Sequence, residues 1–231
     1  MASLPTRDRA LTRDLLDVLA HHTALYDHAL SVLVRGGVAH VSGPVTSTAE
    51  RDLIRRVVAR VRGIEAVWDV LRVGGDGALR VVDLGCGRQK QHAWAIGVDA
   101  YPYDGVDIVA DIERGLPFGD HEVDQVYAIH FLEHLRDLLS VMNEIHRVLV
   151  PGGVLHVIVP NGQFVNAYAD PTHVRYFNVQ TFKYFCVPHP GLRPFRPLSA
   201  STAVDNIYAD LQPVQDGEAG PDEEEIARHF G

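Results

Sequence analysis

The sequence has little cysteine and no long apolar run. Its 231 residues include only Cys86 and Cys186, which do not have the spacing of a metal-ligand set. No apolar run approaches the roughly 18 residues that span a membrane. Residues 1–10 also lack the apolar segment of a signal peptide. These absences predict a reduced, cytoplasmic protein.

Basic residues are also scarce, and the charge is uneven along the chain. Residues 1–73 hold ten arginines and eight acids, a net charge of about +2, whereas the remainder holds eleven basic residues and twenty-two acids, about −11. Proteins that grip long nucleic acids rely on neutralising phosphates. The acidic remainder therefore argues against a nucleic-acid partner and favours small molecules or peptides.

A turn-rich stretch, Gly74-Gly75-Asp76-Gly77, separates two regions with different patterns. It predicts a small α+β module over residues 1–74 and a larger α/β domain over residues 75–215. Residues 216–231 hold six acids and one arginine, which predicts an acidic tail that is mobile or partly helical.

The first region follows an α-β-β-α-β pattern. Gly36-Gly37 lies between two runs of strand-forming residues and predicts a hairpin turn. Ser47, with Glu50 three residues later, is typical of a helix N-terminus, and Gly63 ends that helix. The apolar positions at helical spacing are Leu11, Leu15, Leu16, Val18 and Leu19 in the first helix and Leu53, Ile54, Val57, Val58 and Val61 in the second.

This region resembles a BON domain over about residues 8–73. The residues that carry the resemblance are Val38–Val45, Glu50-Arg51 and Val61–Val67. The resemblance implies a binding module without catalytic residues.

Five arginines crowd the second helix of the first region: Arg51, Arg55, Arg56, Arg60 and Arg62. One interpretation is a docking surface for a protein partner or for anionic lipid headgroups. The other is a solvated helix face, because Glu50 and Asp52 lie nearby in the sequence.

The second region opens with an apolar strand, an acid and two glycines, Val81–Gly87. Two further short apolar strands end at Asp99 and Asp111. In an open α/β sheet, such a turn lets a ligand approach the backbone, and acids at neighbouring strand ends bind ribose and base. The pattern predicts parallel strands at residues 80–84, 95–98, 106–110, 124–129 and 154–159, a helix at 136–149 and a closing hairpin at 195–199 and 206–214.

The motifs of this region resemble those of the class I S-adenosylmethionine-dependent methyltransferases over about residues 78–215. They occur in the expected order at Asp83–Gly87, Gly97–Asp99, Ala110–Ile112, Leu116–Phe118, His130–Leu135 and Leu149–Gly153. The resemblance implies a doubly wound Rossmann-like methyltransferase sheet, preceded by the BON-like domain, and S-adenosyl-L-methionine as cofactor.

The resemblance also implies a set of cofactor-binding residues. Asp83 would orient the glycine turn or meet the amino group of the cofactor, Asp99 would bind its ribose hydroxyls, and Asp111 its adenine amino group. The full set is Asp83, Gly85, Cys86, Gly87, Asp99, Ala100, Asp111, Ile112 and His130.

The glycine turn departs from the usual motif at Gln89, where a third glycine is common. The crossover at residues 88–94 is too short for a regular helix, which weakens a role for a helix N-terminus in cofactor binding. Arg88 or Lys90 could instead meet the cofactor carboxylate; the alternative is that both are solvent-facing turn residues.

His130, Glu133 and His134 form a His-x-x-Glu-His run, which can indicate a metal site because residues four apart share a helix face. No third ligand stands at a characteristic spacing, so we expect no metal. His134 is instead interpreted as a packing residue.

Residues 170–177 form a polar and aromatic cluster after the fifth strand, where this superfamily commonly covers its acceptor. His173 is the candidate general base, since imidazole titrates near neutral pH. The alternative is a histidine that pins this segment to the sheet.

The leading hypothesis is a methyltransferase acting on a small or medium-sized acceptor. The alternative is a non-catalytic S-adenosylmethionine-binding protein in which the BON-like domain serves interaction or regulation. A dehydrogenase is disfavoured by the two-glycine turn and by the position of Asp111. The acceptor atom and the oligomeric state are left open.

Overall fold

The computed structural model describes residues 6–23, 25, 30–73 and 80–231. The chain divides into two compact units, Met1–Ala78 and Leu79–Gly231. The predicted break at residues 74–77 lies outside the described residues, and the predicted three-part division remains a prediction.

The first unit has the predicted order of elements. Helix α1 (Thr6–His21) precedes strands β1 (Ser31–Arg35) and β2 (Val38–Val45), helix α2 (Thr48–Ala59) and strand β3 (Ala66–Val73). Strand β2 is central, antiparallel to β1 and parallel to β3. Gly36 and Gly37 both have positive φ, 56° and 83°, as a two-residue hairpin turn of this kind requires.

Helices α1 and α2 cover this sheet with spaced apolar residues. Leu11, Leu15 and Leu19 of α1 are buried, because residues four apart lie on one side of a helix. Leu16 and Val18, which were predicted to share that face, are exposed. A helix turns about 100° per residue, so Leu16 lies roughly 100° from the centre of the buried stripe, whereas Val18 lies at the edge of that stripe.

Two of the five arginines on and near α2 are buried. Arg51 Nε lies 3.0 Å from Asp69 Oδ1, and Arg55 pairs with Asp69 Oδ2. The Asp69 side chain is completely buried. The interpretation of Arg51 and Arg55 as part of a docking surface or a solvated face is therefore wrong. Three arginines remain exposed: Arg56, Arg60 and Arg62.

The second unit is built on a seven-stranded sheet. Its strands are β4 (Val81–Leu84), β5 (Ile96–Asp99), β6 (Ile108–Val109), β7 (Val123–Ile129), β8 (Leu149–Pro160), β9 (Phe195–Ala203) and β10 (Asn206–Pro213). The spatial order is β6-β5-β4-β7-β8-β10-β9. The five strands from β6 to β8 are parallel, and β10 is antiparallel to both of its neighbours. This mixed α/β arrangement confirms the predicted Rossmann-like fold class.

Three helices of this unit pack against one face of the sheet: α3 (Leu138–Val148), α5 (Val179–Cys186) and α6 (Glu223–Phe230). The short helix α4 (Asn166–Ala169) lies in the segment that follows β8. Leu84, Ala128 and Val157 stand side by side on adjacent strands and share a core with residues of α3, α5 and α6. Residues 85–95, which connect β4 to β5, contain no helix, as their length predicted.

The opposite face of the sheet carries a buried polar row. Asp83, Tyr127, His156 and Asp210 are register partners on β4, β7, β8 and β10. The His156 and Tyr127 rings stack with centroids 4.6 Å apart, and His156 Nδ1 lies 2.6 Å from Asp210 Oδ1. The two faces of the sheet therefore differ in chemistry. Apolar side chains pack on one face, and polar side chains that form hydrogen bonds and ring stacking lie on the other.

The acidic C-terminal segment is more ordered than a mobile tail. Helix α6 begins at an Asp222 N-cap and buries Ile226 and Phe230 in the core. Gln180 Nε2 donates to the Phe230 carbonyl (2.5 Å), and Arg196 pairs with Glu225 (3.1 Å). Two apolar residues four apart thus anchor a helix that is otherwise mostly charged. Among the helices in the described residues, none is long and apolar enough to cross a membrane.

Replacing Asp69 by Asn should destabilise the first unit by about 3–5 kcal/mol, because Arg51 and Arg55 would remain buried without a counter-charge. Urea denaturation followed by far-ultraviolet circular dichroism measures the change. The exposed Asp14→Asn replacement on α1 is the control and should stay within about 0.5 kcal/mol of wild type. A loss below about 1 kcal/mol for Asp69→Asn would show that the ion pairs of Asp69 with Arg51 and Arg55 contribute little to stability.

Candidate functional site

The turn after β4 depends on two glycines for different reasons. Gly85 and Gly87 have φ of 64° and 56°, the left-handed region that disfavours other residues. A Cβ on Gly85 would lie only 2.3 Å from the ring of Phe131, whereas a Cβ on Gly87 would meet nothing within 4 Å. Gly85 therefore permits close packing inside the protein, and Gly87 borders open space that a ligand can enter.

Asp99, at the end of β5, holds this turn in place. Its Oδ2 accepts a hydrogen bond from the backbone N–H of Gly87, and its Oδ1 accepts one from Tyr101; both distances are 2.9 Å. The residue is buried. Each carboxylate oxygen can accept a second bond, so Asp99 can bind a ligand hydroxyl without releasing the turn. Ala100, the next predicted site residue, is exposed beside it.

Asp83, near the end of β4, is a buried carboxylate on the polar face. Its Oδ2 accepts a hydrogen bond from the Gln91 backbone N–H at 2.6 Å. Burial raises the pKa of Asp83 to about 6, against the opposing effects of that hydrogen bond and of the Lys90 charge. A cationic ligand group beside Asp83 would favour its ionised form.

Cys86 is also buried, between the two glycines of the turn. Burial, with the charges of Asp83 and Asp99, raises the pKa of its thiol to about 11. The side chain is therefore a neutral thiol at neutral pH and is suited to packing rather than to nucleophilic attack.

The two basic residues of the crossover differ, since Lys90 is partly buried and Arg88 is exposed. Lys90 Nζ lies 2.8 Å from Asp107 Oδ2, and the same oxygen accepts from the Gly97 backbone N–H, also at 2.8 Å. The hydrogen bond from Lys90 lowers the pKa of Asp107. The Arg88 guanidinium stacks over Tyr103, 4.8 Å from the ring centroid. Sequence reasoning missed Asp107, because nothing local predicts its contact with Gly97.

Asp111 and Ile112 follow the short strand β6. Asp111 caps the 3₁₀ turn Ile112–Arg114 by accepting from the Glu113 backbone N–H (3.2 Å), and it pairs with Arg114 (3.0 Å). Its side chain is half exposed and open to a ligand. Ile112 is buried in the apolar core.

His130 occupies the turn after β7 with a strained φ of 50°. Its backbone N–H donates to the Ile158 carbonyl at 2.8 Å, and its half-exposed ring lies at the edge of the sheet. The ring Nδ1 is 3.4 Å from Oε1 of Glu133. The next residue, Phe131, packs against Gly85, so the turn after β7 contacts the glycine turn after β4.

The segment after β8 is tied to the same edge of the sheet. The backbone N–H groups of Val174 and Arg175 donate to the Glu133 carbonyl at 2.9 and 3.1 Å. Within this segment, His173 Nδ1 donates to the Ala167 carbonyl at 2.9 Å, and Nε2, which lies 4.0 Å from Asp170 Oδ2, keeps its lone pair. The general-base role of His173 remains a prediction.

Exposed aromatic side chains lie in the same segment. The rings of Tyr168 and Tyr176 contact each other with centroids 4.5 Å apart, and the Tyr168 hydroxyl donates to the Gly162 carbonyl at 2.8 Å. The carboxyl ends of parallel strands meet at one edge of the sheet. The segment that carries these rings therefore leaves the sheet at the same edge as the glycine turn.

Family comparisons match both units of the chain. Residues 82–157 match the family described as "Methyltransferase domain", and residues 7–75 match the family described as "BON domain". A region similar to BON domains is thus followed by a region similar to methyltransferase domains. The resemblance stated from the sequence motifs is thereby confirmed. None of the curated proteins matches the sequence.

Solved structures of methyltransferases resemble part of this chain at low identity. A chain from the complex of the Haloferax volcanii Trm112 methyltransferase activator with a candidate methyltransferase has 14% identity and a TM-score of 0.49, covering 63% of this chain and 86% of its own. A SAM-dependent methyltransferase from Archaeoglobus fulgidus has 18% identity and a TM-score of 0.43, covering 59% and 86%. The Burkholderia thailandensis 1,6-didemethyltoxoflavin-N1-methyltransferase has 14% identity and a TM-score of 0.43, covering 58% and 71%.

The raised pKa of Asp83 predicts a pH-dependent stability difference for Asp83→Asn. The folded protein binds a proton more tightly than the unfolded chain between pH 3.8 and about 6, so stability falls as pH rises through this window. At pH 7.5 Asp83→Asn should be more stable than wild type, by at most about 3 kcal/mol. The gain should largely vanish near pH 4.

Urea denaturation at the two pH values measures this difference. Asp104→Asn is the matched control, since Asp104 is exposed in the neighbouring connection between β5 and β6. An equal effect of Asp83→Asn at both pH values would mean that the carboxyl is not buried as described.

Proposed function

We propose that the second unit binds S-adenosylmethionine at the carboxyl edge of its parallel strands and transfers the methyl group to a small or medium-sized acceptor. The observation that carries this proposal is the open side of Gly87 beside two buried carboxylates, Asp83 and Asp99. The match of residues 82–157 to the methyltransferase domain family supports it.

Each polar group at this edge suits one part of the cofactor. Asp99 retains lone pairs for the ribose hydroxyls, and the half-exposed Asp111 can accept from the adenine amino group. Asp83 can pair with the cationic amino group of the methionine moiety. Gly85, Cys86 and Gly87 would supply backbone along the ligand.

The reaction needs little covalent help from the protein. The sulfonium of the bound cofactor supplies the electrophilic methyl group, and the protein aligns the acceptor with it. The segment after β8 is our candidate for covering the acceptor, with the rings of Tyr168 and Tyr176 as an apolar contact surface. His173 is the candidate proton acceptor for acceptors that must lose a proton.

The BON domain is proposed to serve interaction. Its exposed Arg56, Arg60 and Arg62 would contact an anionic protein or lipid partner. The competing function is an S-adenosylmethionine-binding protein without turnover. Conversion of the cofactor to S-adenosylhomocysteine in the presence of an acceptor separates the two.

Asp99→Ala should weaken cofactor affinity by roughly 1–3 kcal/mol, the cost of leaving ligand polar groups unpaired. Isothermal calorimetry with S-adenosylmethionine and S-adenosylhomocysteine measures it on the full chain. Asp104→Ala is the control and should bind like wild type, because Asp104 is an exposed acid to which no cofactor contact is assigned. Unchanged affinity in a folded Asp99→Ala protein would defeat the assignment of the site.

The two units are proposed to be separable. All residues assigned to the cofactor lie within Leu79–Gly231, which is a compact unit by itself. A protein of residues 76–231 should therefore fold and bind the cofactor with wild-type affinity by calorimetry. A folded fragment that does not bind would mean that the first unit contributes to the site.

A further inference from the structure

Three side chains with metal-binding atoms come together beside the proposed acceptor region. The ligand atoms of Glu133, His134 and His173 all lie within 4.8 Å of one another. Among the described residues, this is the one such group of three or more. None of the three is assigned to the cofactor, so their juxtaposition needs its own explanation.

Glu133 is the unusual member of this cluster. Its side chain is only 1% exposed, and neither carboxylate oxygen has a hydrogen-bond partner. The nearest cationic candidate, His130 Nδ1, is 3.4 Å away and does not meet hydrogen-bond geometry. A carboxylate removed from water in this way is normally paired or coordinates a metal.

Both histidines of the cluster are held in the tautomer that a metal ligand needs. His173 Nδ1 lies 2.9 Å from the Ala167 carbonyl oxygen, which can only accept, so Nδ1 carries the proton. His134 Nδ1 lies 3.0 Å from the Thr172 hydroxyl, which itself donates to Asp170 at 2.6 Å. His134 therefore donates as well, and both rings keep the lone pair on Nε2.

We propose that Glu133, His134 and His173 bind a divalent transition-metal cation, with Zn²⁺ as the best-suited ion. Two imidazoles and one carboxylate are a known ligand set for zinc, and they leave a fourth position for water or substrate. Tetrahedral ligands about 2.0–2.2 Å from zinc are roughly 3.3–3.6 Å apart, so the ligand atoms would approach one another by at most about 1.5 Å on binding.

The surroundings of the cluster match a metal site in two further ways. Histidine ligands usually donate their second nitrogen to a carbonyl or a carboxylate-linked group, as the Ala167 carbonyl and the Thr172–Asp170 pair provide here. His134 is exposed, which gives a cation access from solvent.

The ligand set also explains why the sequence spacing was uninformative. Glu133 and His134 are adjacent, whereas His173 reaches them from beyond β8 because Val174 and Arg175 bond to the Glu133 carbonyl. A cation on Nε2 of His173 would occupy the lone pair that a general base uses. Metal binding and the general-base role of His173 are therefore alternatives.

The test titrates Zn²⁺ into the full chain, without an affinity tag and stripped of metal, in competition with a chromophoric chelator. Co²⁺ in place of Zn²⁺ reports the geometry through its visible absorption. We expect one equivalent to bind, with the intense Co²⁺ bands of a four-coordinate site. His134→Ala, His173→Ala and Glu133→Gln should each weaken binding by roughly 100-fold or more.

The control is His21→Ala on α1. His21 is exposed and also donates Nδ1 to a backbone carbonyl, of Asp17 at 2.7 Å, but it belongs to no ligand cluster. Its loss should leave zinc affinity unchanged. Equal binding by wild type and the three cluster variants, or no binding by wild type, would overturn the proposal.

Thermal unfolding gives a second readout that does not depend on activity. Without metal, Glu133→Gln should melt at a higher temperature than wild type, because it removes a buried carboxylate that accepts no hydrogen bond. With Zn²⁺, wild type should be stabilised and Glu133→Gln should not. Should a histidine variant fail to fold, Thr172→Val tests the same site, with roughly 10–100-fold weaker zinc binding expected. Zinc stabilisation of Glu133→Gln equal to that of wild type would contradict the proposal.

Discussion

Carboxylates, rather than a helix, hold the short connection between β4 and β5. Residues 85–95 contain no helix that could pack and satisfy backbone N–H groups. Two of those groups donate to side chains, Gly87 to Asp99 and Gln91 to Asp83, and Gly85 donates to the Val98 carbonyl of the neighbouring strand. Lys90 pairs with Asp107. The shape of the candidate cofactor site depends on these bonds, because they place the turn against the ends of the strands.

In the proposed function, the same acids would combine this structural role with cofactor binding. Asp99 positions Gly87 while keeping lone pairs for a ligand, so the site is preorganised before the ligand arrives. Asp83 is different, since burial raises its pKa to about 6 and its ionised form is costly in the empty protein. A cationic group of the cofactor would offset that cost, which makes Asp83 a selective contact for a positively charged ligand.

Features that depend on neighbouring residues could be predicted from the sequence. Alternation and apolar runs indicated all seven strands of the larger sheet, and the Gly36-Gly37 pair indicated the hairpin of the first unit. The capping residue Ser47 accepts from the Glu50 backbone N–H as predicted. Strand ends place Asp83, Asp99 and Asp111 on one edge, because that follows from parallel strands alone.

Contacts between distant segments could not be predicted, and they decide which polar residues are buried. Arg51 and Arg55 look like surface residues until Asp69, on a later strand, is placed beneath them. Ile226 and Phe230 stand in an acidic segment whose composition suggests a mobile or partly helical tail, and the fold shows that these two residues pack a helix onto the core. Glu133 is the clearest example of a residue whose contacts could not be predicted from the sequence. Its neighbours in the sequence include histidines, but only the fold removes its carboxylate from water and brings His173 within reach. A buried acid that accepts no hydrogen bond is thus a property of the tertiary structure, and it indicates function where a local motif does not.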